Sequence, residues 1–511
     1  MHARRIGAVA ATAVALVAAR DLVQKRHALL RNFPVLGHAR YLLETVGPEL
    51  RQYIVTSNEE ERPFSRDQRS WIYASAKEEN NYSGFGTEVD VEHVQGHAYI
   101  KQRTFAAGAL PDTHDPQAPL PSAKVLGGPR GRAKAFRPAS VVNISAMSFG
   151  SLSGAAITAL NKGAALAGTM HNTGEGGLSR YHRSGGDIVL QIGTGYFGCR
   201  NEDGSFNLDK LKDVVAGAPV RAIEIKLSQG AKPGLGGMLP AAKVTPEIAA
   251  IRGIAVGKDC ASPSRHSAFD DVDSMLDFVE LLAAETGLPV GVKSAVGDMG
   301  FWQELATLME RGDRGVDFVT VDGSEGGTGA APRIFADSVS LPFRMGFSRV
   351  YGTFAELGLT DRLTFIGSGK LGLPENAAVA FALGADMINV AREAMLSIGC
   401  IQSQKCHTDK CPTGIATQNP WLAHGLDPAS KSTRAAAYLR TLRKELMKVS
   451  GAVGVAHPGL ITANDIEILN GDYDARTLGS VYGYKEGWGE LGPHLAEELT
   501  TLLAATSKPT L

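Results

Sequence analysis

Phe318-Val319-Thr320-Val321-Asp322-Gly323-Ser324-Glu325-Gly326-Gly327-Thr328-Gly329 opens on a β-branched, apolar run and closes on four glycines in eight positions. Such a run is a buried strand that stops where the backbone must turn tightly or approach a ligand. The same phrase recurs along the chain. Short β-rich runs lie at Val141 to Ile144, Thr169 to Asn172, Ile188 to Ile192, Ala222 to Lys226, Val290 to Lys293, Leu363 to Ile366 and Met387 to Val390. Helix-like stretches fall between them, at Leu152 to Leu166, Val272 to Glu285, Phe301 to Arg311 and Glu375 to Leu383. Eight β/α units in about 250 residues predict an α/β fold, a TIM (β/α)8 barrel rather than an open doubly wound sheet.

In a barrel the ends of parallel strands converge on one face, where active sites are built. Each expected strand is followed by a polar or glycine-rich cluster, such as Ser145 to Gly150, Thr173 to Gly177, Gln229 to Gly237 and Gly367 to Lys370. The run Gly367-Ser368-Gly369-Lys370 after the seventh strand, with Ala391 and Arg392 after the eighth, occupies the usual barrel position for a phosphate-bearing cofactor. A solvated glycine turn is the plainer reading of the same residues. Asp322 to Gly329, which contains Gly326 and Gly327, adds a second loop able to approach a phosphate or a ring. Lys293 ends an otherwise apolar strand, and a buried lysine needs an anionic partner. The N1 and O2 side of a reduced flavin would supply one.

The chain has 511 residues, 52 Lys plus Arg against 53 Asp plus Glu, a formal net charge of −1. That balance excludes a nucleic-acid binder working through bulk charge. An apolar share of 44% with 21% charged residues is ordinary globular composition. Five cysteines are too few for a disulfide scaffold, and Cys400, Cys406 and Cys411 fall in one loop followed by Pro412. The gaps match neither a zinc-finger pair nor a C-x-x-C motif, and clustered thiolates before a proline suit a three-iron cluster. A zinc site completed by His407, or three buried thiols, are the alternatives.

At the N-terminus, Ile6 to Ala19 is unbroken in small and apolar residues, yet 14 residues of helix span only about 21 Å against a hydrocarbon core of roughly 30 Å. A twin-arginine export signal would open the same way but lacks a clean small-residue cleavage site, and a membrane anchor lengthened by snorkelling arginines and a docked or amphipathic helix are the other readings. Basic residues denser on its C-terminal side would keep the body cytoplasmic, anchored at the inner membrane. The organisation expected is a hydrophobic helix over 1–30, an extension packing on the barrel over 31–135, the barrel with its cysteine loop over 136–420, and a mixed helical tail over 421–511.

Four long motifs, Asn172 to Gly177, Ile225 to Gly234, Asp322 to Ala330 and Cys400 to Gln418, resemble the FMN-binding synthase domain of glutamate synthases, in a stand-alone form without the amidotransferase domain. The resemblance covers roughly 141–419 and implies FMN and a 3Fe-4S cluster on Cys400, Cys406 and Cys411. It implies flavin contacts from Ala146, Ser148, Gln191 and Lys293, and a phosphate site from Gly327, Gly367, Gly369 and Ala391. It sets Lys232 toward the carboxylates of 2-oxoglutarate or a similar dicarboxylate, and Glu175 near the substrate or bracing its loop. The activity implied is reductive amination of 2-iminoglutarate to glutamate, with electrons from ferredoxin or a separate reductase and ammonia from solution or a partner. Three positions depart from the family pattern: Tyr196 stands where an arginine is expected, and Leu235 and Met238 replace a glutamate and a glutamine. They leave room for two other readings, a related amino transfer such as N-methylglutamate synthesis, or a membrane-associated electron-transfer subunit. No G-x-G-x-x-G opens a βαβ unit, so no pyridine-nucleotide site is expected.

Overall fold

The computed structural model describes residues 2–24, 27–106, 119–471 and 474–506. They form two compact units, Met1–Arg69 and Ser70–Leu511. In the smaller unit, helix His2–Val23 is followed by a short helix, Ala28–Asn32, and by helix Gly37–Leu50, which continues as a wider turn to Val55. The first helix thus runs beyond the apolar stretch read from the sequence, through Arg20 to Val23.

The larger unit is built round a closed barrel of eight parallel strands. These are β1 (Val142–Ile144), β2 (His171–Asn172), β3 (Ile188–Ile192), β4 (Val220–Lys226), β5 (Val290–Ser294), β6 (Phe318–Asp322), β7 (Thr364–Ser368) and β8 (Met387–Val390). They pair in chain order, and β8 closes on β1 through Ile388–Val142, Asn389–Asn143 and Val390–Ile144. All eight expected strands are present, shifted by two residues at most. β5, β6 and β7 are buried along their whole length, as strands of a parallel sheet covered on both faces must be.

Side chains that point into the barrel alternate along each strand and stack in layers. The lowest layer is apolar: Met170, Ala222, Phe318, Ile366 and Met387 pack together, closed from below by Leu126. Gly291 is required here, because a Cβ on it would stand 2.4 Å from both the ring and the carbonyl of Phe318. Two residues higher the layer is polar, with Asn172, Glu224 and Thr320, and at the rim it is ionic, with Lys226, Lys293 and Asp322. Alternation therefore converts an oily floor into a charged mouth within two steps.

Three features were not legible in the sequence. No α-helix follows β2; a single turn, Arg180–His182, takes its place. The 26-residue helix Pro428–Val453 from the tail lies along helix Gly154–Ala167, with Gly163 against Ala435, where a Cβ would approach to 2.6 Å. Residues 227–271, between β4 and helix Val272–Thr286, form an excursion with a small hairpin (Met238–Leu239 with Cys260–Ala261) and a short helix, Pro246–Arg252.

Candidate functional site

Glu224 is the centre of the polar layer. Its Oε1 accepts hydrogen bonds from Asn172 Nδ2 (2.8 Å) and Gln191 Nε2 (2.6 Å), and its Oε2 accepts from Thr320 Oγ1 (2.8 Å). Lys293 Nζ lies 4.0 Å from Glu224 Oε1. Gln191 and Lys293, expected at a flavin, are thus oriented by one buried carboxylate that the sequence reading did not single out. The period-2 register of β4 could have found it, since Glu224 lies between Ala222 and Lys226 on the same face.

One layer up, Lys226 Nζ donates to Glu175 Oε1 (2.7 Å) and to Gln229 Oε1 (2.6 Å). Lys232 is 4% exposed, and its ammonium makes no hydrogen bond among the described residues. Arg252, also buried, lies over the ring of Phe197 and donates to the carbonyl of Phe149 (3.2 Å), while its buried Nε has no partner among the described residues. Burial alone would push the Glu175 carboxyl up, but the charge and hydrogen bond of Lys226, with the charges of Lys232 and Arg252, hold it below its usual value. Burial, followed by repulsion from Lys226, pulls Lys232 down to about 8. The cations gathered here, Lys226, Lys232, Arg252 and Lys293, outnumber the carboxylates Glu175, Glu224 and Asp322. Buried charge in excess calls for an anionic ligand.

Asp322, expected in the cofactor loop, does not face outward: its Oδ2 accepts from the amide of Gly230 (2.8 Å) and holds the 227–237 loop against β6. The contact is so close that a Cβ on Gly230 would stand 1.8 Å from the carbonyl of Gly323. The glycine loops after β6 and β7 meet, with the amide of Gly323 donating to Ser368 O (2.9 Å) and Gly369, at φ +122°, beside Gly323. Arg392 lies under Gly327, donates to the carbonyl of Glu325, and leaves no room for a Cβ there. Gly326, Gly327, Gly367, Gly369, Ala391 and Arg392 are thus on three loops at the same rim, a bare backbone cradle with one guanidinium. That suits a phosphate. Ala146 and Ser148 are half-buried after β1, and the carbonyl of the intervening Met147 is held by His182 Nε2 (3.0 Å).

Two of the three departures take on a different meaning. The Tyr196 side chain is fully buried, and its hydroxyl accepts from the amides of Ser267 (3.1 Å) and Ala268 (3.0 Å). It also donates to His266 Nδ1 (3.1 Å), and His266 Nε2 donates to the carbonyl of Lys226 (2.9 Å). Burial keeps His266 below its usual pKa, consistent with the neutral ring this relay needs. Tyr196 braces the rim. Met238 is 52% exposed on the small hairpin, whereas Leu235 is half-buried.

Cys411 is buried, and Cys400 and Cys406 are half-buried. The amide of Gln402 donates to Cys400 Sγ (3.4 Å), and Thr413 Oγ1 lies 3.5 Å from Cys411 Sγ. Buried Lys243 stands near enough for the two later thiols to raise its pKa against the larger effect of burial. Among the described residues no three Cys, His, Asp or Glu side chains close on a single ion, which holds for the three cysteines alone as it does for a set completed by His407. Thiols, amide donors and a buried ammonium are groups that an anionic iron-sulfur cluster needs. The cysteine loop is tied to the flavin side by Gln418 Nε2, which donates to the carbonyls of Gly150 (3.1 Å) and Leu152 (2.8 Å), and by Lys243 Nζ, which donates to Ser151 O (2.9 Å).

Comparison with known proteins agrees with this geometry. The family model for the conserved region in glutamate synthase matches residues 128–456. The glutamate synthase large subunit-like protein YerD of Bacillus subtilis is 39% identical over 469 residues, 86% of this chain and 89% of that protein. An archaeal-type glutamate synthase [NADPH] of Thermotoga sp. is 35% identical over 346 residues, and the match spans 66% of this chain and 64% of that one. Among solved structures, a mandelate oxidase mutant with a monooxide FMN adduct aligns over 86% of this chain and 99% of its own, at 13% identity and a TM-score of 0.42, a level that adds nothing to the barrel already traced. The chain belongs to the glutamate synthase family and is an oxidoreductase of that type.

Proposed function

We propose that this chain reduces a 2-imino dicarboxylate, formed from 2-oxoglutarate and ammonia, to glutamate at the mouth of the barrel. The observation that carries the reading is the surplus of buried cations round Lys232, which has no hydrogen-bonding partner of its own. Lys232 and Arg252 bind the substrate carboxylates. Glu175 keeps Lys226 charged and in place, and its position beside Gly193 and Gly237 sets the width of the opening. Excluding water strengthens every one of these interactions and positions the imino carbon for reduction.

FMN held in the glycine cradle would supply the hydride, and a 3Fe-4S cluster held by Cys400, Cys406 and Cys411 would supply its electrons singly. Lys293 faces the charge that builds on reduction, and Glu224 holds Lys293 and Gln191 in register beneath it. Residues Gly150 to Leu152 lie between the two sites, their carbonyls taking hydrogen bonds from Gln418 and Lys243. Ferredoxin or a separate reductase delivers the electrons, and ammonia comes from solution or from a partner. The helix over Arg5–Val23, 19 residues with a mean hydropathy of 1.8, reaches about 28 Å and serves as a membrane anchor, with the body on the cytoplasmic face. The test is product analysis after incubation with 2-oxoglutarate, a chemical reductant and either ammonium or methylamine. Glutamate from ammonium supports the proposal. N-methylglutamate alone promotes the amino-transfer reading, and no amino acid from either overturns it.

A further inference from the structure

Helix Gly37–Leu50 leaves an apolar stripe in water. Leu36, at its N-cap, Ala39, Leu43, Val46 and Leu50 recur at intervals of three and four, the spacing of one helical face. All five are exposed, Leu36 at 76% and Leu43 at 63%. Polar side chains tie this helix to its own unit at two points. His38 Nε2 lies 2.9 Å from Asp21 Oδ2, and the Tyr41 hydroxyl lies 3.4 Å from His27 Nδ1. Exposed apolar stripes of this length mark a surface that is covered in use.

What covers it is indicated by where the helix begins. Asp21 lies in the last turn of the apolar helix, buried, and its Oδ2 also accepts from the amide of Val35 (2.9 Å). Two separate groups, Val35 and His38, are therefore pinned to the end of the anchor, and the next helix must start at the depth where the anchor leaves the hydrocarbon. Gly37 permits this fold-back, since a Cβ there would stand 2.9 Å from Leu30 Cδ2. Between Arg20 and Val55 the sequence has six Lys or Arg against three Asp or Glu, a surplus that suits anionic headgroups.

We propose that helix Gly37–Leu50 lies in the plane of the membrane, its Leu36-to-Leu50 stripe sunk at the boundary between headgroups and acyl chains of an anionic leaflet. The proposal rests on the anchoring role given to Arg5–Val23. It adds a second contact, which fixes the anchor's exit angle and resists rotation about a single span.

The experiment uses the full chain, loaded with its cofactors, in phosphatidylglycerol/phosphatidylethanolamine vesicles. A nitroxide is attached to one p-acetylphenylalanine replacing Val14, Leu43 or Thr45, so that the native thiols are untouched, and its collisions with oxygen and with a water-soluble nickel chelate are compared. The expected result is high oxygen and low nickel accessibility at positions 14 and 43, and the reverse at position 45, all three of which are exposed. Lipid contact at 14 with nickel-accessible label at 43 overturns the in-plane helix and leaves the anchor standing. A label at 43 shielded from both probes overturns it too, because the stripe is then covered by protein. Water contact at 14 overturns the anchor and the in-plane helix together.

Discussion

Replacing Lys232 with Ala removes a buried ammonium at the barrel mouth that makes no hydrogen bond among the described residues. If a substrate carboxylate is that partner, the lost charge-assisted hydrogen bond costs about 1.5 to 3 kcal/mol. That is a rise of roughly 10- to 150-fold in the dissociation constant of 2-oxoglutarate. Relief of repulsion on Lys226 and Arg252 returns some of this energy and favours the lower half of the range. The pH dependence follows from the depressed pKa. With Lys232 at about 8, the free protein holds it roughly nine-tenths charged at pH 7 and one-tenth charged at pH 9. A bound carboxylate raises that pKa, so binding takes up a proton, and affinity is full below pH 7 and weakens as pH rises through 8. The wild type should lose about tenfold in affinity between pH 7 and 9. Lys232→Ala should lose much less over the same span. Titration followed by flavin absorbance at both pH values measures all four constants. Equal affinities in the two proteins at pH 7, or equal pH slopes, would refute the assignment of Lys232 to a carboxylate.

Other outcomes follow from the same geometry. Cys406→Ser should abolish the cluster signal in electron paramagnetic resonance while most flavin absorbance survives, and full retention of iron would remove the cysteines as ligands. Lys293→Ala should lower the flavin midpoint potential, because the lysine meets a charge that appears only on reduction; an unchanged potential in a folded variant would place it elsewhere. Gly291→Ala drives a methyl into Phe318, whose backbone cannot give way, and should cost about 1 to 3 kcal/mol in denaturant unfolding. No loss there would mean that the floor of the barrel is not packed as described.

The eight strands were legible because each is short, apolar and closed by glycine or charge, a pattern set by local sterics and burial on both faces. The rim clusters were legible for the same reason. Glu224 was not, because a carboxylate inside a strand acquires meaning only once Asn172, Gln191 and Thr320 arrive from three other strands. Arg252 was hidden similarly, since it lies on a short helix within an excursion whose path no local periodicity records. Tyr196 looked like a lost substrate contact when read as a replaced arginine, yet its hydroxyl closes a relay through His266 to the backbone of Lys226. Asp322 was read as a cofactor residue, and its bond to the Gly230 amide was not visible beside that reading. In each case the residue type was visible and its partner, distant in the chain, was not.

The central claim is that the cationic mouth of this barrel is where a 2-imino dicarboxylate is reduced. A single turnover tests it most directly: protein reduced anaerobically, freed of excess reductant, and mixed with 2-oxoglutarate alone, with 15N-ammonium alone, or with both. The account predicts flavin reoxidation only with both, and one [15N]glutamate for each two electrons lost. Reoxidation by 2-oxoglutarate without ammonium, or persistence of the reduced flavin with both present, would contradict it.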